Sequence, residues 1–330
     1  MIEFITDIGS MVGAWVHVIF WIVAIFAVLG VVGMFVKKGN NDEDSKIRDL
    51  EGLKTLSKKT CVVRSVAHDR RATTRAQTGK PIAVIRFEGD VMASQRTNLA
   101  MLVNEVLFNK DRIAKAIVVV NSPGGAVPHY GQAFAELERL RKAGIEFEVC
   151  VDTFAASGGY LMSLPANKII AAPFAIVGSI GVVAQMMNFH QFLKNFGIEP
   201  LLFTAGQFKR TVTSTGAITE EGKAHFQGEL ERIHQAFGAL VAKYRDGVDI
   251  DRVTTGEHWS AQESVELGLN LVDEIATSHE YLYAQNGNRD LVTLSIKKDP
   301  KSKLVSLLSA SMEMAIEKVM TKLSSNGITG

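Results

Sequence analysis

The sequence predicts an α/β fold, a largely parallel sheet covered by helices, preceded by one membrane-crossing helix. Three observations predict it. Short apolar runs alternate with helical stretches from Pro81 onward, glycine-bearing turns follow two of those runs, and residues 11–36 are apolar throughout. Strands that alternate with helices form parallel sheets with both faces covered, and ligands collect at the carboxyl ends of such strands.

Residues 11–36 contain no Asp, Glu, Lys or Arg, and His17 is their polar interruption. That length of apolar chain spans a bilayer core. A cleaved signal peptide would begin with basic residues, whereas this amino terminus carries Glu3 and Asp7. Lys37, Lys38, Lys46 and Arg48 flank the carboxyl side, a bias that places the rest of the chain in the cytoplasm. Residues 1–36 are thus read as an anchor. Residues 37–79, polar and charged around a short amphipathic piece at 47–56, are read as a membrane-proximal linker.

Residues 80–280 carry the globular domain. Strands are expected at 82–87, 117–121, 147–151, 168–172 and 200–204. Phe134, Leu137 and Leu140 recur at helical spacing before Gly144, and residues 219–245 form a long helix suited to an interface. Residues 281–330 are read as a tail whose helix, near 304–320, places Leu304, Leu308, Met312 and Ile316 largely on one face.

Lysine plus arginine number 36 against 35 acidic residues, so no global field points to nucleic acid. The two cysteines, Cys61 and Cys150, match no metal or redox spacing, and Cys150 reads as a small core residue. No phosphate loop or dinucleotide fingerprint occurs at the turns. No cofactor or metal is implied.

The two turns are N-S-P-G-G-A, after the strand at 117–121, and A-A-S-G-G-Y, after the strand at 147–151. Ser157 in the second is either the cap of the next helix or a nucleophile presented between residues without bulk. Gly124 and Gly125 let a backbone N–H approach the same point, as an oxyanion hole requires. Ser122 is read as a turn residue beside Pro123. For a base, His129 follows the first turn and Lys209 lies in the loop A-G-Q-F-K-R-T.

Five blocks in order, V-N-S-P-G-G, D-T-F-A-A-S-G-G-Y, A-P-F-A-I-V-G-S-I-G-V-V-A-Q, A-G-Q-F-K-R-T and G-E-H-W-S-A-Q-E-S-V-E-L-G-L, resemble the signal peptide peptidase A family, and its single-pass bacterial branch in particular. The resemblance covers roughly residues 81–278. It implies a Clp protease/crotonase-like spiral of ββα units. It makes Ser157 the nucleophile and Lys209 the general base, with Gly125 and Gly158 as oxyanion donors, Gly124 shaping the turn, and Ser179 orienting the lysine amine. A lysine base must be neutral to accept a proton, which burial favours, and Phe203, Phe208 and Val212 are the neighbours expected to exclude water.

The function so implied is a serine endopeptidase of the bacterial inner membrane, cutting short hydrophobic peptides or membrane-proximal segments as a homo-oligomeric ring. The competing readings are an inactive membrane scaffold and a crotonase-type acyl-CoA enzyme. The latter needs acid and base carboxylates, and neither turn carries one.

Overall fold

The computed structural model describes residues 61–65, 79–287 and 289–296. The expected anchor at 11–36, the amphipathic piece at 47–56 and the tail helix near 304–320 lie outside them. No helix among the described residues is long and apolar enough to cross a membrane.

The central strands are β2 (Ile82–Glu88), β3 (Ala116–Ser122), β4 (Phe147–Ala156) and β5 (Lys168–Ala171), paired in parallel and in chain order. They are rich in Val, Ile and Ala because a parallel sheet with helices on both faces leaves little room for polar residues, and the buried Glu148 of β4 is paired with Lys115 at 2.7 Å. Ile82, Val84, Ile117, Val119, Cys150 and Ile170 form one buried face with Tyr281 and Leu282 of α8 (Ser278–Asn286). Burial pushes the Cys150 thiol up to about 12, as befits an inert core residue. On the other face Ala83 lies near Val106 of α1 (Arg96–Phe108). There α2 (Val127–Lys142) packs between α1 and the short α3 (Gly158–Ser163), burying Tyr130, Ala133, Leu137 and Leu140 at helical spacing.

β4 divides between two neighbours. Residues 148–151 pair with β5, and residues 154–156 pair with β6 (Ile176–Gly178), which continues antiparallel to β7 (His258–Ser260). Three further strands then finish the sheet. β8 (Glu274–Ile275) pairs with β5, and β9 (Leu291–Ile296) lies between β2 and β1 (Cys61–Ser65). The expected linker and tail therefore each give a strand to the main sheet.

One expected strand is absent. Residues 200–204 carry no β pairing, and Leu201, Leu202 and Phe203 are exposed. They have the composition of a strand but no ladder partner among the described residues, and apolarity without pairing does not make one. Between β6 and the long α5 (Glu220–Tyr244) the chain forms instead an exposed arm with one short helix, α4 (His190–Asn195).

α5 begins and ends as its sequence dictates. The Thr219 hydroxyl accepts from Gly222 N–H at 3.0 Å, Glu220 and Glu221 occupy the first turn, and Arg245 caps the end. Two further short helices, α6 (Ile250–Val253) and α7 (Ala261–Glu266), follow it. Arg245 also anchors the helix to the sheet, donating to Asp273 at 2.8 and 3.0 Å and to Asn270 O at 2.7 Å.

Glu138 of α2 joins α5 through Tyr244 Oη at 2.6 Å and Lys243 Nζ at 3.3 Å, and it pairs with Lys142 at 2.5 Å. Lys142 first, then Tyr244, hold its carboxyl down at about 2 from an ordinary 4.5. A depressed carboxylate contributes stability that is present above the unfolded value and disappears as pH falls through the folded one. Stability is thus expected to decline between about 4.5 and about 2, with a shallower slope in Glu138→Gln. Denaturant titrations across that window check this, and equal slopes would remove Glu138 from the acid response.

Candidate active site

Ser157 sits where β4 ends and α3 begins, with φ 51° and ψ −120°. A residue with a side chain adopts positive φ only under constraint from its surroundings. Here Ser157 N–H donates to Gly178 O at 2.8 Å, and Ser157 C=O accepts from Leu161 N–H at 2.8 Å. Its hydroxyl makes no cap hydrogen bond, although the residue occupies the cap position. The side chain is therefore not spent on the helix, which removes the simpler of its two explanations.

Pairing of Ala156 with Gly178 sets Ser179 alongside Ser157 at the ends of adjacent strands. Ser179 also has φ 51°, and its N–H donates to Glu257 O at 2.7 Å. The two serines are thus brought together by strand register.

The first glycine turn abuts the second. A Cβ added to Gly124, whose φ is 89°, would lie 2.6 Å from Gly158 N and 2.8 Å from Ser157 Cβ. At Gly125 it would lie 2.2 Å from Val91 O. Among the described residues no acceptor takes the N–H of Gly125 or of Gly158. Gly158, the other expected oxyanion donor, is held small by its own surroundings. Its added Cβ would meet the Tyr130 ring at 2.4 Å, so the constraint comes from inside the protein.

That inner layer is a group of residues sequence reasoning did not assign to the site. Ser122 Oγ lies 2.6 Å from Tyr130 Oη, Tyr130 Oη donates to Asp90 O at 2.7 Å, and Gly124 N–H donates to Ser122 Oγ at 3.2 Å. Burial raises the phenol of Tyr130 and so keeps its proton in place. The Asp90 carboxylate accepts from Met92 N–H at 3.0 Å and Ser94 N–H at 2.9 Å. The Ser94 contacts hold it below the ordinary carboxylate range.

Neither candidate base is hydrogen-bonded to Ser157. No hydrogen bond joins His129 to it, and His129 Nδ1 is buried without a partner among the described residues. Lys209 lies exposed in a turn of the arm, its N–H donating to Gly206 O at 3.2 Å, and it too makes no hydrogen bond to Ser157. Of the residues expected to cover it, Phe203 is 89% exposed and Val212 is half-buried. Phe208 stacks on His225 of α5, with ring centroids 3.9 Å apart. No cluster able to hold a metal ion occurs among the described residues.

Sheet and turn together define the class: an α/β protein with a serine held left-handed at a strand-to-helix turn beside two unspent peptide N–H groups. The chain belongs to peptidase family S49. The pattern described as Peptidase family S49 matches residues 139–291, and that of Peptidase family S49 N-terminal matches residues 3–137. "Probable protease SohB" of Haemophilus influenzae is 42% identical over 216 residues, covering 66% of this chain and 61% of the relative. "Probable protease SohB" of Buchnera aphidicola subsp. Acyrthosiphon pisum is 36% identical over 244 residues, covering 74% and 71%. The match thus takes in between three-fifths and three-quarters of each relative's length. Among solved structures, a mutant of the 1510-N membrane-bound stomatin-specific protease with a substrate peptide is 14% identical, covers 71% of this chain and 99% of that one, and has a TM-score of 0.42.

Proposed function

We propose that this chain is a membrane-anchored serine endopeptidase that cleaves short hydrophobic peptides, such as residual signal peptides, or membrane-proximal segments, through an acyl-enzyme on Ser157. The observation that carries this is the strained Ser157, its hydroxyl unspent, beside the free N–H groups of Gly125 and Gly158. In this reading Lys209 removes the Ser157 proton, Ser179 orients the lysine amine, and Gly124 keeps the two turns in contact. Membership of family S49 supports the chemistry.

Apolar specificity is supported by Val91, Met92 and Phe154, which are exposed on the loop and strand flanking the turns. The apolar segment at 11–36 would hold the enzyme in a bacterial inner membrane, with charge bias favouring a cytoplasmic domain. A ring of copies would supply the cover that Lys209 lacks in one chain. The exposed Val183, Met187, Phe196 and Leu201 of the arm give such a contact its apolar surface. A crotonase-type acid–base pair has less support, because the Asp90 carboxylate is committed to its own loop.

A serine-directed fluorophosphonate tests the reading. Detergent-purified protein is expected to take one label, mapped by mass spectrometry to Ser157 and absent from Ser157→Ala. A wild type that takes no label, or takes it elsewhere, would overturn it.

A further inference from the structure

The hydrogen bonds beneath the glycine turns have only one consistent direction. Asp90 O can only accept, so Tyr130 Oη–H donates to it at 2.7 Å. With that proton committed, the 2.6 Å contact must be Ser122 Oγ–H donating to Tyr130 Oη. Ser122 Oγ then offers a lone pair to Gly124 N–H at 3.2 Å. Each hydroxyl both accepts and donates, and bonds aligned in this way strengthen one another.

The same tyrosine touches both turns. Its hydroxyl governs the first through Ser122, because drawing Gly124 N–H inward leaves the N–H of Gly125 as the next donor along the turn. Its ring backs the second, where a Cβ on Gly158 would come within 2.4 Å. Ser122 and Tyr130 are both fully buried, and Gly89 is a third glycine shaped around them, its added Cβ falling 2.2 Å from Ser122 Oγ. A helix that needed only an apolar side chain here would be served by phenylalanine, so the hydroxyl calls for its own explanation.

Resting on the peptidase reading above, we infer that Ser122 and Tyr130 are positioning residues that fix the spacing and direction of the Gly125 and Gly158 N–H groups for the oxyanion. Neither touches substrate. Both act through the turns.

Tyr130→Phe keeps the ring against Gly158 and removes only the hydroxyl, and Ser122→Ala breaks the chain one bond further on. With hydrolysis of a fluorogenic apolar peptide normalised to sites titrated by fluorophosphonate, each is expected to lower kcat about ten- to hundredfold, with KM changed less than about threefold. A peptide boronate, which places a tetrahedral oxygen in the hole, should lose affinity in parallel with kcat. The double variant should be no worse than the weaker single, because one broken link already releases the turn. A merely structural pair would lower the thermal midpoint and leave kcat per titrated site unchanged, and that result overturns the inference. If wild type hydrolyses the peptide, Ser157→Ala does not and Tyr130→Phe matches wild type, this inference alone fails. An inert wild type removes the peptidase reading and this inference with it.

Discussion

Ser157→Ala and Lys209→Ala are each expected to lower kcat for peptide hydrolysis by roughly 10^4-fold or more, since members of a catalytic unit fail together when either is removed. The pair is informative because the two residues sit in such different surroundings. Ser157 is locked in a strained turn, whereas Lys209 is exposed and makes no side-chain hydrogen bond among the described residues. Removing an exposed, unpaired side chain changes stability by about 0.5 kcal/mol or less. A large loss of activity in Lys209→Ala with an unchanged thermal midpoint would therefore report chemistry, with folding set aside. Lys209→Arg should be equally inert, because a guanidinium does not give up its proton to become a base. Wild-type rates in either alanine variant would sink the dyad.

Gly124→Ala is expected to damage fold and site at once. Its φ of 89° disfavours any side chain, and the new Cβ would press on Gly158 N at 2.6 Å and Ala156 O at 2.7 Å, both backbone atoms without a rotamer to escape through. Left-handed backbone costs about 1–2 kcal/mol and overpacking about 1–3 kcal/mol. For a domain of this size those figures correspond to a drop in Tm of roughly 5–20 °C. The displaced Gly158 N–H should also cost about 10^2-fold in kcat in whatever fraction folds. Calorimetry and site-normalised kinetics check both halves. A variant matching wild type in Tm and kcat would show that the two turns are not in the close contact described.

The central strands were legible because burial on both faces writes mostly apolar runs into β2, β3, β4 and β5, with Arg86 in β2 and Glu148 and Asp152 in β4 as interruptions. The long helix was legible from its punctuation, Thr219 at one end and Arg245 at the other. Residues 200–204 misled for the converse reason: their composition is that of a strand, and composition does not say whether a partner exists. β1 and β9 were missed because each is short and borders polar sequence, so their pairing identifies them, β1 with β9 and β9 also with β2.

At the site, Ser157 and the glycines stood out by their spacing and by the resemblance it supported. The Ser122–Tyr130 pair did not, since a tyrosine on the apolar face of a helix resembles ordinary core. The available signal was its hydroxyl, which burial obliges to find a partner. The surroundings of Lys209 were illegible because the aromatics adjacent in sequence are committed otherwise, Phe203 to solvent and Phe208 to a stack on His225.

The placement of β9 between β2 and β1 has a consequence for synthesis. β2 is the first of the central strands to leave the ribosome, yet the neighbour on one of its edges is residues 291–296. Until those emerge, Ile82, Val84 and Ile85 lie along an open edge, the geometry most prone to pair with another nascent chain. The nascent domain thus holds both glycine turns complete well before its sheet is closed. Whatever protects this chain from aggregation must act in that interval, while β2 waits for its last partner.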